Sequence, residues 1–252
     1  MNGDRINLCG VWIDNVTMRE AVERVDGMVR QRRPSYVVTP NVDHLVKLQK
    51  DPEFMAVYRS AGLVLADGMP LLWAGNFLGT PFKAKVSGSD LLVDICAMVA
   101  ERGYRVFFLG GRPGAAEKAK ANFEKRLPGI QIVGTYSPPM GFEKDEPENR
   151  KIAGMIRAAK PDILLVGLGA PKQEKWISKY HQELGVPVCI GIGVSFEFVA
   201  GIVKRAPMVM QRTGLEWFWR LAMEPKRLWK RYLIEDMAFF GLLFRQKTNH
   251  RS

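Results

Sequence analysis

The sequence predicts an α/β protein with a mostly parallel sheet, helices on both faces, and a helical appendage at the C-terminal end. Short apolar runs alternate with helical segments, which implies parallel strands joined by right-handed crossovers. Several of these runs end in glycine or small polar residues, as strands do at the ligand-binding edge of such sheets. After about Lys204 the composition turns basic and aromatic. We therefore predict an α/β domain over residues 1–204 and the appendage over residues 205–252.

The composition is that of a basic protein with enough apolar residues for a large core. Of the 252 residues, 47% are hydrophobic, and the formal net charge is +11. Excess positive charge favours acidic partners, namely nucleic acid, an anionic membrane surface or phosphorylated substrates. Cys9, Cys96 and Cys189 lie far apart in apolar surroundings, which predicts buried thiols in a reducing cytoplasm. We find no signal-peptide pattern and no apolar run near the roughly 20 residues of a membrane span.

In the first part of the chain we predict strands at 6–13, 36–38 and 63–66. The motif Thr17-Met-Arg-Glu20 is a capping box, so a helix should run from there to about residue 31. Pro40 prevents the second strand from continuing and leaves small polar groups at its carboxyl end. Further helices are predicted from 52, at 70–77, and at 88–102 after a cap at Ser87.

In the second part we predict strands at 105–109, 131–136, 163–166 and 186–192. Helices are expected at 115–127, before Pro161, and from Pro171 to about residue 184. The strand at 163–166 is an uninterrupted apolar run, typical of a strand buried on both faces. The alternation as a whole predicts a Rossmann-like sheet.

The stretch 162–177 organises the chain, because it places a glycine turn between a buried strand and a helix. Gly167 and Gly169 permit a sharp turn, and Pro171 suits the first helical position. Gln173 and Glu174 then fall in the first turn, where the helix dipole favours acceptors. Such a helix N-terminus is an anion site, most often for phosphate. An ordinary connection in a parallel sheet explains these residues equally well.

Polar or glycine signals follow five strands and should converge on one crevice at the sheet edge. They lie at 39–44, 67–68, 110–114, 167–174 and 191–197. Asp67 is the best candidate for a general base, because its position directly after a buried strand would fix it in a cleft. A turn or N-cap aspartate is an equally good interpretation. Asp43 competes for the role, but it can simply cap a helix that starts at His44.

Several motifs are absent from the sequence. There is no Asp-x-Asp, so a divalent metal held by paired aspartates is not indicated, and three histidines make a histidine metal site improbable. The turn at 110–114 is not Gly-x-Gly-x-x-Gly, and the next strand does not end in an acidic residue, which disfavours a nicotinamide enzyme. A Walker lysine motif and a Gly-x-Ser-x-Gly elbow are also missing. We expect neither a metal ion nor a cofactor.

The C-terminal appendage combines charge with aromatic residues. From Lys204 to Ser252 there are eleven Lys or Arg residues against four acidic ones. The interleaved aromatics are Trp217, Phe218, Trp219, Trp229, Tyr232, Phe239, Phe240 and Phe244. This pattern predicts a membrane-associating helical segment that lies in the interface. A helix that packs its aromatics on the core is the alternative, and RNA binding is possible although no RNA-binding module is present.

A set of motifs in chain order resembles a known family. The motifs are Thr39-Pro-Asn, Ala66-Asp-Gly68, Gly167-Leu-Gly-Ala-Pro-Lys-Gln-Glu-Lys-Trp176, Gly193-Val-Ser-Phe, Lys204-Arg-Ala-Pro207 and Gly214-Leu-Glu-Trp-Phe-Trp-Arg220. Together they resemble the WecG/TagA/CpsF glycosyltransferases over essentially the whole chain. The resemblance implies metal-independent, inverting transfer from a UDP-sugar, typically UDP-N-acetylmannosamine, to polyprenyl-diphosphate-linked N-acetylglucosamine. It also implies a peripheral protein on the inner face of the bacterial cell membrane, with a possible homo-oligomer off the membrane.

Site residues follow from this resemblance by position. Asp67 would deprotonate the acceptor hydroxyl, with Thr39, Asn41 and Gln173 positioning the sugars. Arg220 and Arg227 of the appendage would reach the diphosphates and stabilise the UDP leaving group. The remaining substrate contacts are predicted at Gly110, Gly111, Gly167, Gly169, Ala170, Lys172, Glu197, Lys85 and Lys230.

The sequence departs from the family pattern at four positions. Lys85 and Lys230 stand where relatives often carry arginine, which would alter bidentate phosphate contacts. Val194 and Glu197 replace a small residue and an aspartate, so the donor could instead be UDP-glucose or a UDP-uronic acid. Two other classes stay open beside this one: a nucleotide- or RNA-binding regulator without catalysis, and a Rossmann-type dehydrogenase.

Overall fold

The computed structural model describes residues 5–249 and contains a parallel sheet with a small antiparallel hairpin beside it. The strands are β1 (Arg5–Leu8), β2 (Val11–Asp14), β3 (Ser35–Val38), β4 (Leu63–Val64), β5 (Arg105–Gly110), β6 (Gln131–Tyr136), β7 (Ile163–Gly167) and β8 (Val188–Gly191). Six of them form one sheet in the order β4-β3-β8-β7-β5-β6. Every neighbouring pair in this sheet is parallel, which confirms the predicted fold class.

The helices connect the strands and then continue beyond the last strand. They are α1 (Met18–Gln31), α2 (Val42–Leu48), α3 (Pro52–Ser60), α4 (Met69–Leu78), α5 (Gly88–Arg102), α6 (Ala115–Arg126), α7 (Glu146–Ala159), α8 (Lys172–Leu184), α9 (Ser195–Val199), α10 (Met208–Arg212), α11 (Glu216–Met223), α12 (Pro225–Lys230) and α13 (Ala238–Asn249). A 3₁₀ turn lies at Phe142–Lys144 and a π-helical turn at Arg231–Glu235.

The predicted first strand at 6–13 is wrong, because the chain reverses in its middle. Cys9 and Gly10 both have positive φ angles, 52° and 80°, and β1 and β2 pair as an antiparallel hairpin. Two consecutive residues in this region form a tight turn that matches the twist of a hairpin. The buried carboxylate of Asp14 accepts a hydrogen bond from the Val64 N–H at 2.8 Å. This bond ties the hairpin to β4, the edge strand of the main sheet.

Two of the predicted helix caps are confirmed and one is wrong. Thr17 and Glu20 form the capping box of α1, and the Ser87 hydroxyl accepts from the backbone at the start of α5. The expectation that Asp43 caps a helix starting at His44 is wrong. Helix α2 starts earlier, and the Asn41 carboxamide oxygen accepts from the His44 N–H at 3.3 Å.

The core has two layers, one on each face of the sheet. Along β7, Leu164 and Val166 join the apolar cluster on one face, while Ile163 and Leu165 join the cluster on the other. This alternation confirms a strand buried on both faces, as its apolar run predicts. The crossover helices therefore cover both sides and leave the carboxyl edge of the sheet open for loops.

The C-terminal segment is helical and packs partly against the sheet domain. Helix α13 lies against α2 and α4, and its side chains Phe239 and Leu243 belong to the core. The Gln246 side chain accepts from the Cys9 N–H at 2.7 Å and donates to the Asn7 carbonyl at 2.8 Å. The alternative in which the aromatics pack on the core is thus correct for one face of this helix.

Other apolar side chains of the same segment are exposed to solvent. They include Met208, Val209, Phe218, Trp229, Leu233, Ile234, Met237, Phe240 and Phe244. Over residues 5–249, none of the helices combines the length and the apolar character needed to cross a bilayer.

Candidate active site

A cavity of about 930 Å³ lies between the carboxyl edge of the sheet and the C-terminal helices. Residues that follow β3, β4, β7 and β8 line one wall, which we call the strand-edge wall. Residues of the segment 205–249 line the opposite wall, which we call the appendage wall. The predicted convergence of strand ends on one crevice is therefore confirmed for these four strands. They are adjacent in the sheet, whereas β5 lies further away.

Asp67 lies directly after the edge strand region and faces the cavity. It does not cap the helix that follows, since Gly68 is the N-cap of α4 and provides no side chain for it. Instead its backbone N–H donates to the Pro40 carbonyl at 2.9 Å, and the nearby Gly88 N–H at the start of α5 favours the ionised carboxylate. Burial, followed by the nearby charge of Glu216, raises the pKa of Asp67 to about 7, against the opposing effect of Lys85 and Arg220. A carboxylate with such a pKa can accept a proton near neutral pH.

The loop after β3 supplies Thr39 and Asn41 to the same wall. The Thr39 hydroxyl donates weakly to the Gly191 carbonyl at 3.4 Å, which joins two neighbouring strand ends. The Asn41 side-chain oxygen caps α2 and also lies 3.4 Å from the Arg231 guanidinium. Its oxygen is thus engaged by the protein, and its amide nitrogen is the atom that can donate to a ligand.

Gln173 lines the cavity but uses both ends of its side chain within the protein. Its oxygen accepts from the Gly193 N–H at 3.0 Å, and its nitrogen donates to the Glu174 carboxylate at 2.7 Å. The side chain therefore links the turn after β7 to the turn after β8. Glu174 is completely buried, and burial raises its pKa to about 7.

Of the five residues in the glycine turns that were predicted to contact substrate, two line the cavity and three do not. Gly169 and Ala170, after β7, line the cavity. Gly110, Gly111 and Gly167 instead pack against one another: the Gly111 N–H donates to the Gly167 carbonyl at 2.7 Å. A Cβ atom on Gly110 would lie 2.4 Å from that carbonyl oxygen, so glycine is required there by close packing.

A carboxylate of the protein itself binds the turn after β5. Glu197 is buried, and its side chain accepts from the Arg112 N–H at 3.0 Å. Glu197, predicted to contact substrate, thus binds the turn after β5 and lies outside the cavity wall. The Glu197 carboxylate therefore accepts from a backbone N–H that could otherwise donate to a bound phosphate.

The predicted cations also divide into two groups. Lys85, Arg220 and Arg227 line the cavity. Lys230 lies outside the cavity wall with 67% of its side chain exposed, and Lys172 pairs with Glu143 at 3.1 Å on another part of the surface.

Three charged residues of the cavity, Lys47, Arg231 and Asp236, were not predicted from the sequence. Arg231 lines it where Lys230 does not, and its guanidinium lies 3.6 Å from the Asp43 carboxylate. Asp43 is buried and also pairs with Lys47 at 2.8 Å, so it is a charge-paired anion. The sequence shows two adjacent cations at 230 and 231 and has no signal for which one faces inward. Glu216 belongs to the motif Gly214–Arg220, but the motif predicts no role for it.

The cavity is lined by aromatic side chains as well as by charged ones. Trp73 and Phe77 of α4 line it, together with Phe240 and Phe244 of α13. The rings of Phe77 and Phe244 meet edge to face at 5.7 Å between centroids. Asp67 shares the cavity with several cations, an arrangement that suits a reaction in which a hydroxyl is deprotonated and an anion is released. The fold and the site thus define a group-transfer enzyme of the α/β class.

Comparison with known proteins identifies the family. The chain belongs to the glycosyl transferase WecG/TagA/CpsF family, whose family model matches residues 6–252. It is therefore a glycosyltransferase, as the motifs predict. A Bacillus spizizenii (strain W23) protein is 34% identical over 203 residues, which cover 81% of this chain and 76% of that protein. A Staphylococcus aureus (strain MW2) protein is 29% identical over 230 residues, which cover 90% and 88%. Both relatives are named N-acetylglucosaminyldiphosphoundecaprenol N-acetyl-beta-D-mannosaminyltransferase.

Proposed function

We propose that this glycosyltransferase moves N-acetylmannosamine from a UDP-sugar to a polyprenyl-diphosphate-linked N-acetylglucosamine, with inversion and without a metal ion. The transferred sugar and the acceptor are those in the names of the two relatives. The observation that carries the proposal is Asp67, a carboxylate with a pKa of about 7 that shares a cavity with Lys85, Arg220 and Arg227.

In the proposed reaction Asp67 takes the proton of the acceptor hydroxyl. The acceptor oxygen forms a bond to the anomeric carbon, while the bond from that carbon to the diphosphate oxygen breaks and UDP leaves with its electron pair. A single displacement of this kind inverts the anomeric centre. Arg220, Arg227 and Lys85 stabilise the negative charge that develops on the diphosphate. The proton on Asp67 then passes to solvent.

Positioning of the sugars falls to the strand-edge wall. We assign direct contacts to Thr39 and to the amide nitrogen of Asn41, whose oxygen is occupied by α2. Gln173 acts through its hydrogen bond to the Gly193 N–H, which holds the turn after β8 against the turn after β7. Both turns line the cavity, through Gly193 and through Gly169 and Ala170. The departure at Val194 also lines the cavity, which supports an alternative donor such as UDP-glucose or a UDP-uronic acid.

We further propose that the exposed apolar face of α10–α13 rests on the cytoplasmic face of the bacterial membrane. The apolar side chains lie beside an excess of basic residues, a combination that binds anionic lipid surfaces. The double variant Phe218→Asp/Trp229→Asp should lose at least about tenfold in sedimentation with anionic vesicles. Trp12→Asp is the matched control, because Trp12 is 51% exposed on the β1–β2 hairpin and lies outside the segment 205–249. Equal loss in both would remove the membrane assignment.

The decisive test is UDP release with a short-chain polyprenyl-diphosphate N-acetylglucosamine in the presence of EDTA. UDP-N-acetylmannosamine, UDP-glucose and UDP-glucuronate are compared as donors under the same conditions. Turnover with the first alone supports the donor, the acceptor and metal independence together. Turnover with another donor keeps the mechanism and reassigns the sugar. Activity that is abolished by EDTA and restored by a divalent cation would contradict the assignment of the leaving-group role to arginines.

A further inference from the structure

A chain of ion pairs joins the appendage wall to the part of the sheet domain that holds Asp67. The Arg205 guanidinium binds the Asp90 carboxylate at 2.5 and 3.0 Å. Its Nε atom lies 3.5 Å from one carboxylate oxygen of Glu216, in α11. The other oxygen of Glu216 lies 3.9 Å from the Lys85 ammonium group. Glu216 therefore stands between two cations, and one of them, Lys85, belongs to the sheet domain.

The same chain of contacts reaches the start of the helix next to Asp67. The Ser87 hydroxyl donates to the Asp90 carboxylate at 2.6 Å and caps α5. The N–H of Gly88, the first residue of that helix, is near enough to the Asp67 carboxylate to favour its ionised form. The start of α5 therefore lies between Asp90, which Arg205 binds, and Asp67. Glu216 and Asp67 also line the same cavity.

Three groups besides Glu216 act on the Asp67 carboxylate from the elements around it: Lys85 before α5, Arg220 of α11 and the Gly88 N–H. The hydroxyl of Tyr58, in α3, is also near, and the Asp67 charge adds to the effect of burial in raising the pKa of Tyr58. Glu216 is the carboxylate among the side chains that act on Asp67, and its charge disfavours ionisation of Asp67 second only to burial. The appendage thus brings both a like charge and an opposite charge to the base.

We propose that Glu216 is a positioning residue of the transfer reaction, which holds Lys85 and places the negative charge of the docked appendage beside Asp67. This inference rests on the proposed function, in which Asp67 is the general base. With Glu216 in place Asp67 binds its proton more tightly and is the stronger base. With α11 undocked, Lys85 stays beside Asp67 without its partner and makes it a weaker base. Docking of the appendage thereby prepares the base as well as closing the cavity.

The test is the pH dependence of kcat and kcat/KM in Glu216→Gln, with Glu235→Gln as control. Glu235 lies in the same segment and loses the same charge, but it is exposed and outside the cavity wall. The wild-type acid limb should lie near pH 7, because Asp67 must be deprotonated to act. In Glu216→Gln we expect this limb about half to one pH unit lower and the plateau kcat roughly threefold lower. In Glu235→Gln neither should change. An unmoved limb in Glu216→Gln would overturn the inference.

Two further measurements separate the possible failures. If Glu216→Gln does not fold, Glu216→Asp replaces it: this variant keeps the charge, so the limb must stay in place, and a shift would contradict the proposal. Asp67→Asn tests the underlying function. If Asp67→Asn retains turnover, the base assignment itself is wrong. If it is inactive while the limb is unmoved in Glu216→Gln, only the role of Glu216 is wrong.

Discussion

The two walls of the cavity are built in different ways. On the strand-edge wall, Thr39, Asp67 and Gln173 follow buried strands and are fixed by hydrogen bonds to the backbone of neighbouring segments, which for Asp67 is the bond from its N–H to the Pro40 carbonyl. On the appendage wall, the helices α10 and α12 have only five and six residues. Helices of that length are not stable in isolation. The appendage is therefore held by its docking, through α13 and a few ion pairs, rather than by its own secondary structure.

This difference suits the two partners that each wall would meet. Proton transfer requires a fixed geometry, which the carboxyl edge of the sheet supplies because its strands are buried and hydrogen-bonded to their neighbours. A lipid-linked acceptor needs an apolar and cationic surface that can meet the membrane, and the appendage offers both. The following predictions test whether the walls differ as described, from the largest expected effect to the smallest.

The strand-edge wall should carry the largest single catalytic effect. Asp67→Asn removes the proton acceptor with almost no change in shape, so we expect kcat to fall by about 1,000-fold. UDP binding, measured by calorimetry, should change less than about threefold, because Asp67 does not neutralise the diphosphate. Retained turnover would assign the base elsewhere, with buried Asp43 the first residue to examine.

The packing of the appendage should be stabilised by the buried aromatic side chain of α13 and hardly at all by its exposed aromatic side chains. Phe239 is 3% exposed, whereas its neighbour Phe240 is 54% exposed. Phe239→Ala should destabilise the packing of α13 by about 3 kcal/mol, seen as roughly 100-fold faster hydrogen exchange of its amides. Phe240→Ala, the control, should stay within about 0.5 kcal/mol. Equal effects would mean that α13 is not anchored through the core.

The cations of the appendage wall should act on the leaving group. We expect Arg220→Gln to lower kcat/KM by roughly 100-fold, because one charged donor to the diphosphate is lost. Arg212→Gln is the control, since Arg212 is exposed on α10 and outside the cavity wall. Steady-state rates with the lipid-linked acceptor measure both variants. Similar losses would indicate that general positive charge, rather than a positioned arginine, matters.

Ionised Asp67 should lower the free energy of unfolding, because the carboxyl group of Asp67 binds its proton more tightly in the folded protein than in the unfolded chain. Its pKa is about 7 when folded and about 4 when unfolded. Stability should therefore fall as pH rises between these values, and the cost is complete above pH 7. Asp67 keeps partial solvent contact, so we expect Asp67→Asn to gain roughly 2 kcal/mol at pH 8 and almost nothing at pH 4. Denaturant unfolding at both pH values measures this; an equal gain at both would contradict it.

Local signals predicted the elements well where the chemistry is local. The capping box Thr17–Glu20, the cap at Ser87 and the apolar run of β7 all have the predicted consequence. The first hairpin was missed because its turn residues are Cys9 and Gly10, and a cysteine at positive φ carries no turn signal.

Predictions about the site succeeded or failed according to how far apart the partners are in sequence. Asp67 could be placed at the cavity because its strand and the rules of parallel sheets locate it. The glycines 110 and 111 follow the same rule, but the structure uses them to pack against Gly167. Nothing in the local sequence distinguishes a glycine needed for a phosphate from one needed for another backbone.

The sequence by itself determined the parallel sheet, its open edge, the family and the basic, aromatic composition of the last fifth of the chain. These depend on apolar periodicity, caps and composition, which act over a few residues each. Only the tertiary structure decided that Arg231 rather than Lys230 faces the cavity, and that Glu216 meets Lys85 from the opposite wall. The physical reason is that charge pairing and burial depend on distance in space. Residues far apart in the chain come close to one another only when the C-terminal helices pack against the sheet domain.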